Sequence, residues 1–242
     1  MKFGTVAAVT FDCWGTLIFD RPDPDGISAL DLRVAAVARI CDLEDERARA
    51  MLSDAWTLHF EKWRALESFG SPGMARYCLD GAGVDGPARL AELTEAFEEA
   101  SDSLGVAIVP GAPEALEAVR RGGRPTALVC DTGFSPGRIV RKILSEKGLA
   151  QHLDVLAFSD EVGVPKPDPR MFRHALDGIG AGAAGAVHVG DLRRTDIAGA
   201  RDLGMGTVRF VGVYDDDSDG PEADVVIGSL DELPDVLDGG MS

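Results

Sequence analysis

The chain has 242 residues, 45% of them hydrophobic, and a formal net charge of −17. That length suits one core domain with a smaller second module, and the apolar content excludes global disorder. The acidic balance repels phosphate backbones and anionic lipid, so nucleic acid and membrane are excluded as expected partners, while a small anionic substrate in a locally positive pocket is not.

Cys13, Cys41, Cys78 and Cys130 are scattered, with no CxxC or Cys/His ligand spacing. No signal peptide and no apolar run of membrane-spanning length is visible, so a reduced, cytoplasmic protein is expected.

Thr5–Phe11 is a short, β-rich apolar run without alternation, which reads as a strand buried on both faces of a parallel sheet. It ends at Asp12, and Gly15 follows where the chain can turn sharply. From about Ile18 to Leu104 the character changes. After an entry punctuated by Pro22, Pro24 and Gly26, helical spacing runs over Asp31–Met51 and then Leu52–Glu67. Gly70 and Gly73 break the middle, and Ala88–Leu104 is helical again. No strand is expected there, so this segment reads as a helical insert.

Beyond Pro110-Gly111 the elements alternate: helix 113–121, strand 126–130, helix 136–147 ended by Gly148, and strand 155–158. Helix 169–179, strand 186–189, helix 196–203 stopped by Gly204, and strands 207–213 and 225–227 complete the series. Ser229 and Glu232 form a capping box for the last helix, and Asp215–Asp217 reads as a solvated loop. Repeated βα units imply an α/β fold, an open parallel Rossmann-like sheet of about five strands or more with helices on both faces.

Sites in such sheets lie beyond the carboxyl ends of the strands. The first strand delivers Asp12. The second delivers Cys130, Asp131 and Thr132. The loop after the third holds Lys166 between two prolines. The fourth delivers Asp191, with Asp196 five residues on. Three carboxylates converging with a lysine call for a cation, and an all-oxygen ligand set favours magnesium.

These segments resemble the four motifs of the haloacid dehalogenase-like superfamily, in order. They are Phe11-Asp-Cys-Trp-Gly-Thr-Leu17, Thr126-Ala-Leu-Val-Cys-Asp-Thr-Gly133, Lys166 within Gly163-Val-Pro-Lys-Pro-Asp-Pro169, and Val189-Gly-Asp-Leu-Arg-Arg-Thr-Asp196. The resemblance implies a core of residues 1–17 and 107–242 with an α-helical cap inserted over 18–106. It implies that Asp12 is a nucleophile forming an aspartyl intermediate, and that Asp191 holds Mg²⁺ with Asp12 and the Trp14 carbonyl. Asp196 would ligate the ion, directly or through water, or orient Asp191, and Lys166 would neutralise charge. Cys130, Asp131, Thr132 and Trp14 would face the substrate.

Two positions depart from the family pattern. Phosphatases of the superfamily usually carry a second aspartate two residues after the nucleophile, as general acid and base. Trp14 stands there and transfers no proton, although such help is typically worth about 10²–10⁴-fold. Cys130 stands where a Ser or Thr is usual. A thiol is a weak donor to phosphate oxygen, so either Thr132 substitutes or Cys130 is a small buried hydrophobe. In the insert, Trp56, Phe60 and Trp63 share one helix face with His59 and Arg64 nearby; an aromatic stripe of this kind more often packs a core than cages a substrate. His152, His174 and His188 lack ligand spacing and read as structural.

The expected activity is magnesium-dependent hydrolysis of a small phosphorylated metabolite. Alternatives are a 2-haloacid dehalogenase, a phosphonate-cleaving enzyme using Lys62, and a weakly active or non-catalytic binding protein.

Overall fold

A computed structural model of the protein describes residues 3–20, 28–103 and 105–239. Pro22, Pro24, Gly26 and Leu104 lie outside them. The chain forms two compact units, residues 1–19, 107–131 and 144–242, and residues 20–106 with 132–143.

The first unit is built on six parallel strands: β1 (Ala8–Phe11), β4 (Thr126–Cys130), β5 (Val155–Phe158), β6 (Ala186–Gly190), β7 (Gly206–Phe210) and β8 (Val225–Ile227). Their order in the sheet is β5-β4-β1-β6-β7-β8. β1 is wholly buried, as its unbroken apolar run requires, because both faces of a parallel sheet are covered. It pairs with β4 in the register Phe11↔Leu128 and with β6 in the register Phe11↔Val189. The strand order reverses about β1, so its carboxyl end lies at the topological switch point where open α/β sheets bind ligands.

α5 (Ala112–Arg121), α7 (Ser159–Val162), α8 (Pro169–Gly178), α9 (Ala198–Asp202) and α10 (Leu233–Leu237) accompany these strands. α8 begins with Pro169 behind Asp168, whose side chain accepts from the Arg170 N–H, the arrangement helix starts favour. Its apolar face sets Phe172, Ala175 and Leu176 against Ala127, Val129 and Ala157 of β4 and β5. The capping box read at Ser229 and Glu232 is present.

The second unit packs four helices: α1 (Ala29–Cys41), α2 (Asp45–Arg64), α3 (Gly70–Ala82) and α4 (Pro87–Ser103). Val37, Leu52, Met74, Leu79, Leu93 and Phe97 form its buried core. The segment 132–143 belongs here too. Phe134 stacks on Trp56 at 4.9 Å between ring centroids, meets Phe97 edge-on, and lies under the Arg33 guanidinium at 4.1 Å. α6 (Gly137–Glu146) begins within that segment and ends in the first unit. No helix among the described residues is long and apolar enough to cross a membrane.

Several expectations need correction. β2 (Ile18–Asp20) is a strand at the start of the insert, and it pairs with β3 (Val106–Ile108) in a two-stranded ribbon. The first helix break lies at Asp42–Glu44 rather than after Met51, because Asp42 adopts the left-handed conformation usual for glycine at φ 55°. Gly70 and Gly73 do not break the chain; they lie in α3. A Cβ on Gly73 would stand 2.5 Å from the Phe69 ring, so glycine there permits close packing. The helix expected from Asp196 opens instead with a π-helical turn over Arg193–Ile197. β7 ends at Phe210, whose ring crowds Gly212.

Phe172 is fully buried and also meets the His188 ring edge-on at 5.1 Å. Phe172→Ala should lower unfolding stability by about 3–5 kcal/mol, read as a reduced urea midpoint with unchanged slope.

Candidate active site

β1, the loop after β5, and the segment after β6 bring Asp12, Lys166, Asp191 and Asp196 to one edge of the sheet. One carboxylate oxygen from each of the three aspartates lies within 4.8 Å of the others. All four side chains are buried. The Asp12 N–H donates to the Val189 carbonyl at 2.8 Å, which ties the end of β1 to β6. At Gly15, φ is +80°, and a Cβ there would stand 2.5 Å from Asp191 Oδ2, so only glycine allows this turn to approach the carboxylate.

Lys166 is the electrostatic centre of the cluster. Its Nζ donates to Asp12 Oδ1 and, at 2.7 Å, to Asp196 Oδ1. Its backbone N–H donates to Asp131 Oδ1 at 2.8 Å. Burial opposes the charge on Lys166, but Asp12, Asp196 and Asp131 outweigh it and hold the ammonium well above the ordinary lysine range. Burial also works against ionisation of Asp196. Lys166 and the hydrogen bond from His188 reverse that and keep this carboxyl well below the usual range.

Asp12 and Asp191 shift the other way. Burial pushes Asp12 up to about 6; Lys166 opposes the rise and the Asp196 charge adds to it. Burial, then the charges of Asp12 and Asp196, raise Asp191 well above the carboxylate range. Asp191 Oδ1 is buried and has no hydrogen-bond partner. Two carboxylates raised by burial and by neighbouring carboxylate charge, one with an orphaned oxygen, form a donor set that a divalent cation would satisfy.

The remaining expected site residues are placed as follows. Trp14 is half-buried in the turn after β1, and its backbone bridges to Ile18. Cys130 is fully buried at the end of β4. Its thiol meets the Asp131 carbonyl at 3.3 Å. Contact with the Cys13 thiol, burial and the Asp12 charge push it far above the ordinary thiol range, so it is no thiolate nucleophile. Asp131 braces the Lys166 backbone. Thr132 is half-buried and opens the segment that belongs to the helical unit.

In the helical unit Trp56, His59, Phe60 and Trp63 form a chain of ring contacts. Lys62 pairs with Glu67 at 2.6 Å on a solvent-facing stretch, which gives no support to a desolvated Schiff-base lysine.

Two contributors carried no motif. His188 is the register partner of Thr10, and its Nδ1 lies 2.8 Å from the Thr10 hydroxyl. Its Nε2 lies 3.2 Å from Asp196 Oδ1. A carboxylate can only accept, so Nε2 carries the proton that faces Asp196. A polar residue in each of two buried, neighbouring strands was the available signal. The other is Asp216, read above as solvated. It is 3% exposed and accepts the Arg193 and Ser218 N–H groups at 2.7 and 3.0 Å. Its flanking aspartates made the triplet look like a loop, and only the fold folds the middle one inward.

The profile of the haloacid dehalogenase-like hydrolase family matches residues 6–204. The chain is 32% identical to a plasmid-borne phosphoglycolate phosphatase of Cupriavidus necator over 79% of its own length and 84% of that protein's. It is 37% identical to a phosphoserine phosphatase of Thermus thermophilus over 65% of its length, but the match spans only 61% of that protein. A solved HAD phosphatase from Thermococcus onnurineus shares the fold with a TM-score of 0.69 and 24% identity, covering 97% of this chain and 99% of the other.

The folded Asp12 carboxyl, near 6, binds its proton more tightly than the ordinary 3.8. The stability this contributes is complete below the ordinary value and lost as pH rises through about 6. Metal-free protein should therefore lose stability across that window. At neutral pH in chelator, Asp191→Asn should raise Tm by about 2–6 °C by removing a buried carboxyl whose ionisation the site opposes. Thermal melts of the parent and variant across this pH range check both expectations.

Proposed function

The chain belongs to the haloacid dehalogenase-like hydrolases, and from that premise we propose that it is a magnesium-dependent phosphatase of a small phosphorylated metabolite, with Asp12 as nucleophile. The observation that carries this reading is the Asp12–Lys166–Asp196 bridge with the unpartnered Asp191 oxygen beside it. Similarity to proteins named as phosphoglycolate and phosphoserine phosphatases supports the phosphoryl class. The helical insert, residues 18–106, is proposed as the family's cap.

Asp12 and Asp191 would hold the ion, with the Trp14 carbonyl as a third donor. Asp196 has both oxygens engaged, by Lys166 and His188 on one and the Leu192 N–H on the other, so it acts by orienting rather than by direct ligation. A magnesium ion held there would supply charge neutralisation. An Asp12 oxygen attacks phosphorus, the bond to the leaving oxygen breaks, and an aspartyl phosphate forms. Lys166 stabilises the charge spread over the transferring group and is kept protonated by its carboxylate partners. Water then attacks phosphorus, releasing inorganic phosphate and restoring Asp12.

Trp14 transfers no proton to the departing oxygen or from the attacking water. The reading is therefore of an enzyme that favours acidic leaving groups. The aromatic residue at this position also favours a second reading, a 2-haloacid dehalogenase. A solved enzyme of that name from Pseudomonas syringae has a TM-score of 0.67 and 25% identity. The buried Asp191, with its Oδ1 lacking a partner, weighs against it, since haloacid chemistry at Asp12 needs no cation.

Purified protein should release phosphate from an aryl phosphate only with magnesium, and Asp12→Asn or Lys166→Met should lower turnover at least about 10³-fold. Chelator-insensitive halide release from 2-chloropropionate would establish the dehalogenase reading instead. Trp14→Asp should raise turnover of unactivated alkyl phosphates, by up to about 10²-fold, more than that of aryl phosphates. Equal or lower turnover of both would remove the missing-acid argument.

A further inference from the structure

The loop between β7 and β8, residues 211–224, is bound to the segment that carries Asp191 far more tightly than its acidic, glycine-containing sequence suggests. Asp191 is followed by two backbone N–H groups, and each is held by a buried carboxylate. The Leu192 N–H donates to Asp196 Oδ2 at 3.0 Å, and the Arg193 N–H to Asp216 Oδ2 at 2.7 Å. The π-helical turn that opens at Arg193 has no side-chain cap from Leu192, its own preceding residue. Asp216 fills that place from another loop, at the turn's electropositive end.

The loop is itself pinned. Arg209, 4% exposed and rising from β7, grips Glu222 with Nε and Nη2 at 2.8 and 3.0 Å and Asp215 with Nη1 at 2.7 Å. Arg193 Nη2 donates to the same Glu222 carboxylate at 2.8 Å. The Arg209 guanidinium is buried while both carboxylates reach solvent, and a bidentate pair of this kind fixes geometry as well as charge. Independently of these bonds, Gly220 lies flat on the Arg193 main chain. A Cβ on Gly220 would stand 2.9 Å from Arg193 Cβ and 3.1 Å from its carbonyl carbon.

We propose that this loop is a splint for Asp191 and that Asp216 is its positioning residue. By fixing the backbone directly after Asp191, Asp216 sets how well that carboxylate is pre-aimed at a divalent cation. The inference rests on the reading of Asp191 as a metal ligand. Removing partners that orient a ligand typically costs about 10–100-fold in metal affinity.

The test is calorimetric titration of Mg²⁺ into parent, Asp216→Ala and Gly220→Ala proteins, with Tm and magnesium-dependent turnover measured in parallel. Asp216→Ala should weaken Mg²⁺ binding about 10-fold or more. The half-saturating Mg²⁺ concentration for turnover should rise by the same factor, while kcat recovers at saturating Mg²⁺. Gly220→Ala, which leaves every charge in place, should shift binding in the same direction and serves if Asp216→Ala does not fold. A variant with lowered Tm but unchanged Mg²⁺ affinity would overturn the proposal by showing a purely structural loop. A parent that binds no Mg²⁺ would instead sink the metal-site reading on which it rests.

Discussion

One buried ammonium organises this protein's cluster of buried carboxylates. Lys166 stands between Asp12 and Asp196 with almost no access to water, and its own backbone is held by Asp131. Three carboxylates within a few ångströms of one another would repel strongly in a buried place. The lysine compensates two of them, which leaves Asp191 as the group still in need of a positive partner. Neither the lysine nor any aspartate would hold its charged state alone at this depth. Their positions follow from the sheet: residues remote in sequence meet only because parallel strands β1, β4, β5 and β6 end at the same edge.

The departures from the phosphatase pattern fall at that edge too. Trp14 replaces a proton-transferring side chain with one that has none to offer. Cys130 replaces a hydroxyl, and its thiol turns toward Cys13 and the Asp131 carbonyl. On the proposed phosphatase reading the charge-stabilising groups are in place while Trp14 offers no proton transfer, a division that would favour substrates whose leaving oxygen departs without help.

Much of this was legible in the sequence because the strands of a parallel sheet read as short apolar runs. Three of them, 126–130, 155–158 and 225–227, match the observed bounds, and the candidate site residues lie in the segments that follow strands. The helical unit was less legible. Asp42 ends α1 in a left-handed conformation without the usual glycine, and the glycines of α3 serve packing rather than a break. Asp216 and His188 were missed for a different reason. A buried carboxylate among exposed ones, and a histidine matched across strands to a threonine, take their roles from tertiary pairing, which no local pattern encodes.

Acid quenching during turnover of an aryl phosphate, followed by peptide mass mapping, addresses the role of Asp12 most directly. A phosphoryl group on the Asp12 peptide, formed only with magnesium and absent from Asp12→Asn, is the predicted result. Phosphate release with no covalent adduct at Asp12, or with the adduct on another residue, would contradict it.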